Sequence, residues 1–218
     1  MSMKKPHLIA SLILLPLFAL GAPSSSSAQQ PKMDIKLFAG LSGTTFVSMI
    51  ETGRERDTFI GWQIGFGPRV RKRKAFIEIL FSFNRWAFAF QDVTDQGLPF
   101  EAVGKVNSFE LPLIMGYIPF KSPYFKLFLY GGYVNHFNTK IVTELSADVG
   151  SGTETATIKL RPKDFDFAIY QAIARFGVNF DIAMFNFDFN YSISMNSATK
   201  TSYRTSYHQI QVNLAYLF

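Results

Sequence analysis

Four charged side chains sit in stretches with no other charge and many apolar residues: Glu78 in "AFIEILF", Glu110 in "SFELPLI", Arg175 in "AIARFGV" and Asp188 in "FNFDFNY". Charges placed like this do one of two things. They line a path for ions or protons, or they satisfy one another inside a closed interior, because an unpaired buried charge is costly. Lys36, Arg69 and Gln171 are candidate partners for the two glutamates. A second group, Arg69, Arg71, Lys72, Arg73 and Lys74, is the densest charge run and suits lipid phosphates or an acidic protein surface. Catalytic constellations are sparse. A lipid-trimming hydrolase needs a His beside a nucleophilic Ser, yet His136 ("NHFNTK") and His208 ("SYHQIQ") show no such motif, and only a spatial pairing such as Ser206 with His208 keeps that reading open. Two isolated histidines and no cysteine offer no metal-ligand spacing, and the glycines of "GWQIGFGP" form no phosphate loop. No catalytic, cofactor or metal site is therefore expected.

The elements that position these residues have a period of two. In "MFNFDFNYSISM", Phe185, Phe187, Phe189, Tyr191, Ile193 and Met195 take one face, and Asn186, Asp188, Asn190, Ser192 and Ser194 the other. The final segment repeats this, with Ile210, Val212, Leu214, Tyr216 and Phe218 against Gln209, Gln211, Asn213 and Ala215. Strands of about ten residues, greasy on one face and rich in Asn, Gln and Ser on the other, are the pattern of a transmembrane barrel with a polar interior. Eight such segments are expected, near 34–46, 58–70, 75–90, 106–119, 125–139, 165–180, 183–196 and 206–218. "RKRK", "FKSPYF" and "FDIA" make short connections after the second, fourth and sixth; the others are longer. The fold class is thus all-β, an eight-stranded antiparallel up-and-down transmembrane β-barrel with its short turns in the periplasm. "TELSADVGSGTETATIKL" reads as a hairpin rising above the fifth and sixth strands.

A tight turn centred on Asp181-Ile182 would set Arg175 opposite Asp188 on the inner face and Phe176 opposite Phe187 on the outer. Aromatics near strand ends form interfacial girdles. Tyr117, Phe120, Tyr124, Phe180 and Tyr216 are assigned to the periplasmic girdle, and Phe46, Trp86, Phe90 and Phe137 to the outer one.

Residues 1–28 read as a cleaved secretory signal: Lys4 and Lys5, a 13-residue apolar run from Leu8 to Leu20, then small residues to Ala28. Residues 29–218 form the barrel domain. The chain has no cysteine, hence no disulfide framework. Without the signal, 20 Lys/Arg face 16 Asp/Glu, an excess too small and dispersed for nucleic acid.

Two resemblances add to this. The last strand, with Phe218, Tyr216, Leu214, Val212 and Ile210 in phase, resembles the C-terminal signal by which barrel-assembly machinery recognises its clients. The stretches "NSFELPLIMGYIPF", "YFKLFLYGGYV", "DFDFAIYQAIARFGVNF" and "FDFNYSISMNSA" resemble the outer-membrane β-barrel family that includes PorT, among small barrels of the OmpA/OmpX type. That resemblance implies an outer-membrane protein of Bacteroidetes type, without catalysis or cofactor, structural or accessory to a surface or secretion assembly. Its partners would be outer-membrane lipids, the assembly machinery during insertion, and a secretion or envelope protein. A lipid-modifying enzyme such as a lipid A deacylase, or a small pore, is the alternative.

Overall fold

The computed structural model describes residues 30–48, 59–93, 99–148, 153–160, 168–198 and 205–218. The expected signal at 1–28 lies outside them. The strands are β1 (Lys32–Ser48), β2 (Phe59–Lys72), β3 (Ala75–Ile79), β4 (Phe81–Val93), β5 (Pro99–Lys121), β6 (Phe125–Asp148), β7 (Thr153–Leu160), β8 (Tyr170–Ile182), β9 (Phe185–Ser194) and β10 (Thr205–Leu217). All pairings among the described strands are antiparallel; one arm runs from β1 through β2 and β4 to β5, the other from β10 through β9 and β8 to β6, and the β1–β10 and β5–β6 pairings close them into a ring. Among the described residues ten strands make eight staves. β3 and β4 share one stave between β2 and β5, and β7 lies along the edge of β6 beyond β8.

The break between β3 and β4 has a local cause. Leu80 donates its N–H to the Pro112 carbonyl at 3.0 Å, but Pro112 has no N–H to return. Pro68, beside it on β2, likewise has none, so the ladder is interrupted on both sides while the alternation of faces runs through.

That alternation is inside-out for a water-soluble protein. β9 alternates exposed aromatics with buried Asn186, Asp188, Asn190, Ser192 and Ser194. β2 does the same, with Ile60, Trp62, Ile64 and Phe66 outside and Gln63 and Arg69 inside. An apolar belt this continuous exceeds any patch a soluble monomer tolerates. Among the described residues three apolar clusters pack inside the lumen, one of them Phe38, Leu80 and Ala215. Phe76, Ile114, Ile118, Phe128 and Tyr130 lie nearer the short turns, and Trp86, Val106, Val134, Ile141, Ile173 and Tyr207 nearer the long loops.

The short turns are as tight as expected. The turns at Arg73-Lys74 and Ala183-Met184 each hold their first central residue at positive φ, 56° for Arg73 and 53° for Ala183. That is where two-residue hairpins favour glycine. The turn between β8 and β9 falls two residues later than the sequence suggested, and this changes the pairing. Arg175 stands opposite Ser192, Asp188 opposite Asn179, Phe176 opposite Tyr191 and Phe180 opposite Phe187. The slip is even, so every side chain keeps its expected face. The hairpin expected near residue 150 forms, with Asp148 opposite Thr153.

Candidate functional site

The chemistry-bearing residues converge inside the barrel in two tiers. The tier nearer the short turns is built on Arg69 of β2, which has no exposed surface. Its Nε donates to Glu78 of β3, and its Nη1 donates to Asp181 of β8 at 2.8 Å. The guanidinium also lies 4.7 Å from the Phe128 ring and 5.7 Å from that of Phe76. Aromatic faces suit this ion because it is planar and weakly hydrated. Lys36 of β1 bridges Glu78 at 3.6 Å and Asp188 of β9 at 3.7 Å. Tyr130 donates to Asp188 at 2.6 Å, and Asn186 donates to Asp181 at 2.8 Å. The tier is thus linked around the barrel from β1 to β9.

The second tier centres on Glu110 of β5. Arg175 donates from Nη2 to Glu110 Oε2 at 2.8 Å and from Nε to Ser192 Oγ at 2.9 Å. His136 Nδ1 lies 2.9 Å from the other Glu110 oxygen, and its Nε2 lies 3.0 Å from Asn138 Oδ1. Asn138 spends its own N–H on the Ala168 carbonyl at 2.8 Å, which fixes the amide orientation. Above the tier, Trp86 packs against Tyr207 (ring centres 5.4 Å) and both face the His136 ring. These rings cap the charges on the long-loop side.

Glu78, Glu110, Arg175 and Asp188 therefore all point inward, but in two separate groupings, and Arg175 bonds Glu110 rather than Asp188. Of the proposed basic rim, Arg69 belongs to the lumen, not the rim. Alternation sets it inward, where Glu78 and Asp181 hold it. Arg71 is half in, paired with Asp34 at 2.5 Å and lying 3.6 Å from Asp181. Lys72, Arg73 and Lys74 are exposed at the short-turn end, and Lys74 sits 5.8 Å over the Tyr117 ring. Tyr216 and Phe218 face outward and meet edge to face with ring centres 4.7 Å apart. Gln171 is buried.

Trp86 corrects the outer girdle. It is 1% exposed and faces the lumen, because it shares parity with Glu78 along one stave. Phe137 does face outward, while the side chains of Phe46 and Phe90 lie outside the described set. The sequence reading also missed Asp181 and the lumenal role of His136. Parity with Arg175 was the available signal for Asp181 once β8 is extended to Ile182. His208 turns outward against the Tyr191 hydroxyl, so the two histidines stand on opposite faces of the wall.

No family model and no curated protein matches this chain. It is similar in structure to the attachment invasion locus protein Ail of Yersinia pestis, with 12% identity and a TM-score of 0.48 over 86% of this chain and 99% of Ail. It is also similar to the neisserial surface protein NspA, at 11% identity and 0.44 over 87% of this chain and 100% of NspA. A third similar structure is the outer membrane enzyme PagL, at 10% and 0.37 over 84% of this chain and 98% of PagL. The barrel assignment rests on the chain's own strand pairings.

Proposed function

We propose that this protein is a non-catalytic integral outer-membrane barrel, acting through its rims and outer wall as a structural or accessory part of a surface or secretion assembly, in the manner of the PorT-like family. One observation carries the reading. The outside is a continuous apolar belt, while the lumen is filled by ion pairs and capped by Trp86, His136 and Tyr207. A lumen packed by its own side chains supports neither a through-pore nor a substrate pocket. Among the described residues His208 meets the Tyr191 hydroxyl through Nδ1 and no hydrogen bond joins it to Ser206, which argues against the Ser–His lipid hydrolase.

The test has three arms. The protein migrates faster unheated than boiled in SDS if it is a closed barrel. It passes no resolvable current in planar bilayers. Gentle detergent extraction of tagged protein from native membranes recovers a stoichiometric envelope partner. Steady conductance steps would replace this reading with a pore, and altered lipid A on overexpression, lost in His136→Ala or His208→Ala, would replace it with the enzyme.

A further inference from the structure

On the outer wall the apolar belt ends abruptly across β4, β5 and β6, while on β2 it runs on through Trp62 and Ile60. One cross-strand row reads Ile64, Phe83, Phe109, Phe137 and then Tyr170 on β8. Its rings touch, with Phe83 and Phe109 at 5.4 Å and Phe137 and Tyr170 at 5.3 Å. The next row toward the long loops reads Trp62, Arg85, Asn107 and Lys140. Arg85 and Lys140 are exposed there, two strand spacings apart, or about 10 Å. Neither has an ion-pair partner among the described residues. Lys105, one row further, is matched by Glu144 at 2.6 Å.

Lys140 faces outward only because of a bulge. The β5–β6 register shifts by one residue between Asn107 and Ser108, leaving Thr139 as the extra residue of β6, with its hydroxyl on the Asn107 carbonyl at 3.0 Å. Strict alternation after the buried Asn138 would turn Lys140 into the lumen. The bulge re-aims it beside Arg85 and returns Ile141 to the inner cap.

The height of the row fits a membrane surface. Tyr117, beside the exposed Lys74, marks the short-turn edge of the belt, and Asn107 lies ten residues further along β5. At about 3.3 Å per residue and a tilt near 40°, that is roughly 25 Å, the thickness of an outer-membrane apolar band.

We infer that Arg85 and Lys140 form a docking site for the phosphate of a phosphorylated glycolipid in the outer leaflet, with its acyl chains lying on Phe83, Phe109 and Phe137. This rests on the outer-membrane placement proposed above. Cations at headgroup level without acidic partners attract a lipid phosphate, and the aromatic row directly beneath suits hydrocarbon.

Native mass spectrometry of the full barrel in mild detergent tests this, with phosphorylated lipid A, the same lipid with its phosphates removed, and phosphatidylglycerol as probes. The wild type is expected to retain phosphorylated lipid A preferentially. Arg85→Gln/Lys140→Gln should lower retention on the order of tenfold per cation removed, whereas Lys32→Gln/Lys121→Gln, which removes two exposed cations at the short-turn end outside the basic run, should bind as wild type. Equal retention of the dephosphorylated lipid, preference for phosphatidylglycerol, or an unchanged double variant would each overturn the inference. Heat-dependent gel mobility of every variant separates the two ideas. Its loss in the wild type sinks the membrane barrel itself, whereas its presence without phosphate-dependent retention sinks only the lipid site.

Discussion

Arg69 is the residue on which the lower tier depends, and replacing it gives the most demanding test of the buried network. Arg69→Ala removes the hydrogen-bonded partner of Glu78 and of Asp181, and empties the space against Phe76 and Phe128. Removing one member of a buried pair costs about 3–5 kcal/mol, because the other charge is left without compensation. Two stranded carboxylates would suggest twice that. However, Lys36 remains 3.6 Å from Glu78 and Arg71 remains 3.6 Å from Asp181, so each keeps a weaker cation. We therefore expect a loss of about 3–5 kcal/mol, not double.

The assay is urea unfolding of the barrel refolded in lipid vesicles, followed by tryptophan fluorescence and by heat-dependent gel mobility. At a slope of about 2 kcal/mol per molar urea, the midpoint falls by roughly 2 M. The triple variant Arg69→Met/Glu78→Gln/Asp181→Asn, which deletes the charges together, should recover most of this, since no ion is left unpaired. A midpoint for Arg69→Ala within about 0.5 M of wild type would refute the reasoning. So would a triple variant no better than the single one.

Three further outcomes follow from the same geometry. Gly177→Ala would place a methyl carbon 2.4 Å from both Cζ and the hydroxyl of Tyr130 and so displace that ring from Asp188; a loss of about 1–3 kcal/mol in the urea assay is expected, and an unchanged midpoint would mean the ring swings aside freely. Ala183→Gly should gain about 1 kcal/mol, because Ala183 holds a left-handed φ of 53° at the tip of its hairpin; an unchanged midpoint would mean the turn relaxes freely. Val212→Arg on the outer face, midway along β10, should cost about 2–4 kcal/mol in vesicles but much less in detergent micelles, and equal cost in both would argue against a lipid-facing belt.

Which side chains face inward was readable from a period of two, since one strong run such as Phe185 to Met195 fixes the parity of its whole strand. Which residues meet was not readable, because cross-strand partners depend on where each turn closes. Moving the β8–β9 turn from Asp181-Ile182 to Ala183-Met184 leaves every face intact yet sends Arg175 to Ser192 and Glu110 instead of Asp188. Trp86 shows a different failure. Its type suggested an interface while its parity with Glu78 placed it inside, and parity won because the alternation runs unbroken along the stave and the ring packs there among Val106, Val134, Ile173 and Tyr207. The Thr139 bulge leaves no trace in composition, so the outward turn of Lys140 appears only once the register is known.

The placement of charge bears on how such a barrel could work. Its inner ions are committed to one another, so replacing any of them should register first as stability. Among the described residues, cations without an ion-pair partner stand at the two edges of the apolar belt, Lys72, Arg73 and Lys74 below and Arg85 and Lys140 above, roughly 25 Å apart. Charges at both edges resist sliding along the membrane normal and resist tilt, since either motion drags a cation into hydrocarbon at a cost of a few kcal/mol. A protein held so firmly at both surfaces is suited to present fixed rims to other molecules, and variants at the edges should alter what it holds before they alter whether it folds.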